Sequence, residues 1–496
     1  MAPIGGALAP LRRLLDVRRE ERGLFLLLYV LLTLMVLADW VGKVGADSLF
    51  VKRFGVQYIP AMYIVTPLAM LATSALLFAV IDRIRRRTLL FYYIAAVMVA
   101  SVAIQLALPL GGPVLPIAYV FAHGVKETIY LLFWVYAGNL YDSEQSRRLF
   151  PLFAGAILVG KILGGIVATG LADLIHAENF IGAQAIGFLA CLVLIALYRD
   201  HLPEAREHRE LSGHRPAGLR TSLQSSIDGY RAVASDPLLR VLGVGIFFWY
   251  LLMQMGNYLY LLGLDASSTL TTAQRSEDAF SQVYASVYTS GSLVALAIQT
   301  LLTTALVRRF GVAMALFIFP LWYLLSFGSA LISFNFVTAV LIQLGERVVV
   351  PAIHRPATEM VYGQVSPQVR PRARTFLSGG INALGNLSAA AVLLASAASG
   401  IGAATILGLA SILSLLFVLN TWSVRHSLGR RIAENLASTE GELRRNALQM
   451  LPGEGAAVPA EALRALLGKP PQDVEAGIRL ALSRRHRSVV VAANLD

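Results

Sequence analysis

The chain has 496 residues, 56% of them hydrophobic and only 15% charged, with a formal net charge of +12 and a mean hydropathy of +0.64. That balance excludes an ordinary soluble domain and reads as an all-α polytopic membrane protein. Cys191 is the single cysteine and lies inside an apolar run, which excludes a disulfide framework and a cysteine-based metal site.

Apolar runs long enough to cross a bilayer, about 20 residues each, fall at 23–48, 58–81, 89–108, 114–140, 150–173, 180–198, 237–263, 283–307, 312–333, 336–362, 375–397 and 401–423. They are continuous rather than alternating every second residue, so a helical bundle is expected and a membrane β-barrel is not. The predicted division is a basic N-terminal segment 1–22, a six-helix bundle 23–198, a polar linker 199–236 with an amphipathic helix near Leu219 to Val233, a second six-helix bundle 237–423, and a helical tail 424–496. The first run is too long for a cleaved signal peptide and is expected to stay as a helix.

Arginines set the orientation. Arg12, Arg13, Arg18, Arg19 and Arg22 precede the first span, and Arg83 to Arg87, Arg147 and Arg148, Arg308 and Arg309, and Arg370 to Arg374 occupy the even-numbered connections. By the positive-inside rule these lie inside, so both termini are expected to be cytoplasmic in a multi-pass inner-membrane protein. The excess positive charge is then anchoring at the inner leaflet rather than a nucleic-acid surface.

In chain order, the first span brings Asp39, Lys43 and Asp47 onto one helical face with Gly42 and Gly45 beside them. Asp39 and Lys43 are candidate site residues; Asp47 reads as an anchor at the outer end. The fourth span holds His123, Lys126 and Glu127, and the fifth holds Lys161. Each such charge would cost about 2.5 to 3.5 kcal/mol facing lipid, so each is expected to face protein or water. The seventh span offers Gln254 and Asn257, and the tenth carries Glu346, Arg347, His354, Arg355 and Glu359 on a helix interrupted by Pro351 and Pro356. Asn382 and Asn386 share a face of the eleventh. Lys126 or Glu127 is expected to approach Glu346 and Arg347.

A repeat underlies the pattern. Arg148, Phe150, Gly155, Gly160 and Lys161 correspond to Arg374, Phe376, Gly380, Gly385 and Asn386, roughly 225 residues later. A duplicated six-plus-six chain is the pattern of major-facilitator carriers, in which the first helix of each three-helix unit faces the cavity. Spans one, four, seven and ten hold nearly all the deep polar residues. The reading is therefore a secondary carrier with a mid-membrane polar site for an anionic or zwitterionic organic solute. The alternative is a non-transporting membrane sensor or scaffold that works through its tail, with a protein partner there. No Gly-rich phosphate loop, metal-ligand spacing or nucleophile motif points to an enzyme, and no cofactor is expected.

Two stretches, DSLFVKRFGVQYIP from Asp47 to Pro60 and LFWVYAGNLYDSEQSRRLFPLF from Leu132 to Phe153, resemble the nucleotide transporter family of bacterial ATP/ADP translocases, a branch with major-facilitator architecture. The resemblance implies that fold and a nucleotide-like solute. Ala46 and Asn386 stand where the family carries lysine, so ATP/ADP exchange itself is not implied. In the tail, GELRRNALQML, PAEALRALL and DVEAGIRLALSRR have amphipathic spacing and resemble helices of a HEAT-type repeat.

Overall fold

The structure is a computed structural model that describes residues 17–18, 20–81, 84–141, 143–199, 202, 219–268, 276–454 and 457–467. Nine segments among these are long and apolar enough to span a membrane. The first of them, Arg22–Thr73, contains two helices, α1 (Arg22–Leu49) and most of α2 (Ile59–Ile81). The others are α3 (Arg86–Ala107), α5 (Ser143–Ile175), α6 (Phe180–Leu197), α8 (Pro237–Ser268), α11 (Val312–Ile332), the interrupted tenth and eleventh spans, and the twelfth. Two more polar helices, α4 (Val114–Leu140) and α9 (Ser276–Leu301), complete twelve spans, each close to where hydropathy placed it. Between the halves the amphipathic α7 runs Leu219–Ser235.

Large apolar side chains face outward along these helices: Leu106 is 76% exposed, Leu197 74% and Ile332 89%. In water such a surface would be untenable; against acyl chains it is the stable arrangement, and the protein is a multi-pass membrane protein.

By contacts the chain divides into two compact units, Met1–Gly213 with Ser268–Ser292, and His214–Ser267 with Leu293–Asp496. Within the first, α1 is the central helix: every residue from Ala38 to Leu49 is buried. Glycine permits the crowding. A Cβ on Gly160 of α5 would stand 2.7 Å from the Val36 Cβ, and one on Gly45 of α1 would stand 2.5 Å from the Phe180 Cβ of α6. Without a dry hydrophobic drive between helices, close backbone approach at small residues supplies the attraction.

The second unit repeats the device. A Cβ on Gly385, the repeat partner of Gly160, would stand 2.9 Å from the Tyr250 Cβ of α8. In each unit, therefore, the fifth helix of the half leans on the first through the same glycine.

The tenth span is α12 (Phe336–Leu344), a π-helical stretch Gly345–His354, and α13 (Arg355–Tyr362). Pro351 lies inside the π-helical stretch, where its missing N–H cannot continue the ladder. The short α10 (Thr303–Phe310) precedes α11, and the eleventh span is α14 (Arg370–Thr375), a π-helical Phe376–Ile381 and α15 (Asn382–Ala398).

The twelfth span, α16, runs Ala403–Leu436 and so continues well past Trp422, the predicted end of the membrane part. It leads into the tail helices α17 (Gly441–Glu454) and α18 (Ala460–Leu467). The third amphipathic stretch, DVEAGIRLALSRR, lies outside the described residues. The tail is docked. Asn446 donates from Nδ2 to the Gly363 carbonyl at 2.9 Å, Asn435 donates to the Gln364 carbonyl at 2.9 Å, and Arg370 pairs with Glu442 at 3.0 Å. Glu454 Oε1 accepts the Ala313 N–H at 2.6 Å, which places a carboxyl on the N-terminus of α11.

Candidate functional site

The buried half of α1 presents Asp39, Lys43 and Asp47 one helical turn apart, at 0%, 8% and 2% exposure. Because this part of the helix is surrounded, all three charges point into protein. α4 supplies His123, whose Nε2 lies 2.8 Å from Asp47 Oδ1, while Lys43 Nζ stands 3.3 Å from His123 Nδ1. From α9, the Tyr284 hydroxyl donates to Asp47 Oδ2 at 2.6 Å, and the Tyr288 hydroxyl is 3.1 Å from that of Tyr284. Lys43 Nζ is 3.9 Å from Asp47 Oδ2. Tyr119 stacks on the His123 ring at 4.2 Å between centroids.

Asp47 accepts when ionised, so His123 donates to it from Nε2. The Lys43 ammonium is almost equally far from the two ring nitrogens, 3.3 Å from Nδ1 and 3.5 Å from Nε2, so it sits beside the imidazole rather than along either lone pair.

The chain just beyond Asp47 leaves regular α-geometry in a π-helical turn, Phe50–Gly55, a distortion often found at functional positions. From that turn Arg53 pairs with Glu178 at 2.9 Å, on the link between α5 and α6, and with Glu277 of α9 at 2.7 Å. His176 Nδ1 and Asp278 Oδ2 are 2.9 Å apart, and Asp278 Oδ1 accepts the Ala177 N–H at 2.7 Å. These bonds hold the start of α9 where Tyr284 and Tyr288 can reach the cluster.

Of the residues singled out from the sequence, the structure brings together Asp39, Lys43 and His123 in this region. Lys161, half-buried on α5, places its ammonium 5.9 Å from the centre of the Trp40 ring, which in turn packs on Tyr288. The side chains of Lys126 and Glu127 lie outside the described residues. Asp47, read from sequence as an anchor, is instead the centre of the cluster, and Tyr284 and Tyr288 were not anticipated. The signals were present: three charges four apart on α1, and two tyrosines four apart on α9.

In the second unit the candidates are dispersed. Arg347 pairs with its own neighbour Glu346 at 3.0 Å. Arg355 is exposed, and Glu359 meets Arg374 at 2.8 Å in a pair open to solvent. Gln254 and Asn257 are half-buried on α8. Asn386 donates to Asn382 one turn away at 2.6 Å. His354 is buried, with the rings of Trp249 and Phe319 each 4.9 Å away and Phe417 at 6.0 Å. Its ring hydrogen-bonds the Leu316 backbone, whose carbonyl has no helical donor because Pro320 lacks an N–H. The His354 Nδ1 is buried with no hydrogen-bond partner among the described residues, so the ring is held by packing and by this one backbone bond.

Among the described residues no group of three or more His, Cys, Asp or Glu could hold a metal ion. No protein-family model matches the chain, and no curated protein matches it. Solved structures do. A nucleoside transporter, NupG, superposes with a TM-score of 0.59 at 16% identity, over 81% of this chain and 99% of that one. A D-xylose–proton symporter gives 0.54 at 15% identity, over 80% and 96%. A POT family transporter solved with 5-aminolevulinic acid gives 0.53 at 14% identity, over 80% and 96%. The likeness shows the fold: twelve spans in two repeated halves, the major-facilitator arrangement.

Proposed function

We propose that the protein is a secondary carrier that moves an anionic or zwitterionic organic solute by alternating access, with both termini on the cytoplasmic side of an inner membrane. The observation that carries this is the Lys43–His123–Asp47 cluster with Tyr284, a set of ionisable groups held on three helices inside a transporter fold. Ionisable residues inside a membrane bundle are expensive to keep and mark solute or ion pathways by default. A solute carboxylate or phosphate that drew Lys43 away would take a cation from beside the His123 ring, so binding of the solute and the proton held by the histidine would be linked. The similar structures are named for a nucleoside, a sugar and a small amino acid complex; together with the sequence resemblance they favour a nucleotide-like or other polar solute. ATP/ADP exchange is not part of the proposal, given Ala46 and Asn386.

The test is uptake by reconstituted vesicles offered nucleosides, nucleotides, amino acids and small peptides. His123→Gln is expected to cut uptake of the accepted solute at least ~10-fold while the protein still melts cooperatively. Folded wild-type protein that accumulates none of these solutes would overturn the carrier reading.

The docked tail favours a second reading, in which a partner at the tail, built of HEAT-like helices, makes the protein a sensor or scaffold. Truncation after Ala437 separates the two, because it spares α16: a carrier keeps uptake, and a scaffold loses its phenotype whatever happens to uptake.

A further inference from the structure

A cleft opens at the end of the second unit where the tail docks. Its volume is about 1050 Å3, at the upper limit of ordinary small-molecule sites. Three elements wall it: the α9–α10–α11 connection, the end of α13, and the tail helix α17.

The floor is small and apolar or already satisfied. Gly311 and Val312 are buried there, and the Thr303 hydroxyl is committed to the Ala352 carbonyl at 2.7 Å. At the mouth the chemistry changes. Gln299 and Gln449 are exposed and make no side-chain hydrogen bond to another described residue, and Arg309 is the one charged side chain among the described lining residues. The Arg309 guanidinium lies over the Phe310 ring, 5.5 Å from its centre. Leu301 is 74% exposed, and Leu302, Phe310 and Met360 are also exposed. A cation on an exposed aromatic ring, on a stretch with further exposed apolar side chains and where spans give way to a polar tail helix, matches the headgroup boundary of a bilayer.

We propose that this cleft is a phospholipid site. The phosphate of a net-anionic lipid lies on Arg309, the amides of Gln299 and Gln449 donate to its phosphate and ester oxygens, and one acyl chain runs past Val307 and Met360. Charge decides for an anionic head, since no carboxylate is among the described lining residues and the Glu454 carboxyl behind Gly311 is bonded to the Ala313 N–H. The consequence is mechanical as well as chemical: the lipid touches both the spans and α17, so its occupancy strengthens tail docking. The inference does not depend on what, if anything, the protein carries.

The experiment uses full-length protein in neutral detergent, melted with equal mole fractions of phosphatidylglycerol or phosphatidylcholine, or with inorganic phosphate. Phosphatidylglycerol is expected to raise the melting temperature at least ~2 °C above phosphatidylcholine. Arg309→Gln is expected to lose at least half of that shift. Arg425→Gln, which removes a cation lying over Trp422 and outside the cleft, is expected to keep it. Should Arg309→Gln fail to fold, Gln449→Leu decides in its place. The proposal is overturned by an equal shift from inorganic phosphate, which would make the ligand a free anion. It is overturned too by no preference for the anionic lipid, by an unchanged shift in the cleft variant, or by equal loss in Arg425→Gln.

Discussion

The opening helices of the two units pack alike and differ in chemistry. α1 carries Asp39, Lys43 and Asp47 through its buried half, whereas the middle of α8, from Val241 to Leu264, has no charge. Each is pressed by the fifth helix of its half through an equivalent glycine, Gly160 or Gly385. Packing and polar function are therefore separable in this fold: backbone approach needs only a missing Cβ, while a buried charge needs partners brought from other helices. The first unit supplies such partners in His123 and Tyr284. In the second, Arg347 and Asn386 bond within their own helix, and Glu359 pairs at the surface.

The sharpest break of that contrast is a pair of alanine variants. Asp47→Ala leaves the Lys43 ammonium buried beside His123 and is expected to destabilise by about 3 to 5 kcal/mol. Glu359→Ala removes one half of an exposed pair with Arg374 and should cost no more than about 1 kcal/mol. Chemical denaturation of both in one detergent checks it; comparable losses would erase the distinction between the units.

The shared packing is tested by Gly160→Ala and Gly385→Ala. Each added methyl meets a Cβ or a backbone atom at under 3 Å, and overpacking of this kind typically costs about 1 to 3 kcal/mol. Similar losses are expected at the two sites. A harmless change at one of them would mean that the glycines are equivalent in sequence register only.

Partly buried His123 and buried His354 sharpen the comparison further. His354→Phe keeps the aromatic cluster but strands the Leu316 carbonyl, with an expected cost of about 1 to 2 kcal/mol and no effect on transport. His123→Gln should do the reverse, and a transport defect in the His354 variant would show that its role is more than structural.

The smallest effect is on pH dependence, where two carboxyls at the membrane edges differ in sign. Burial pushes Glu21 up, but hydrogen bonds from Arg148, Gln145 and the Arg18 amide outweigh it and leave the carboxyl below its usual range. Its stabilisation is present above the unfolded value of about 4.3 and fades as pH falls toward the folded value. The margin of wild type over Glu21→Gln should therefore shrink on acidification. Glu454 is raised, chiefly by burial, against the opposing Ala313 N–H. The unfolded chain ionises first, so wild type should lose ground to Glu454→Gln as pH rises through the carboxylate range. Melting curves from pH 4 to 7 test both signs.

The sequence by itself determined the spans, because a run of about 20 apolar residues is a local property and the bilayer reads it without knowing the fold. It also revealed the repeat, since Gly160 and Gly385 answer the same local demand, and the candidate status of Asp39, Lys43 and His123, since deep charge is costly wherever it lies. Tertiary structure decided the partners. Asp47 sits near a helix end, where sequence favours an anchor, and only the approach of α4 and α9 turns it into the acceptor for His123 and Tyr284. His354 looks like a site residue until Pro320 and the surrounding rings are placed beside it. Spacing along one helix shows which side chains share a face; what meets that face depends on residues 80 or 237 positions away, and no local pattern records them.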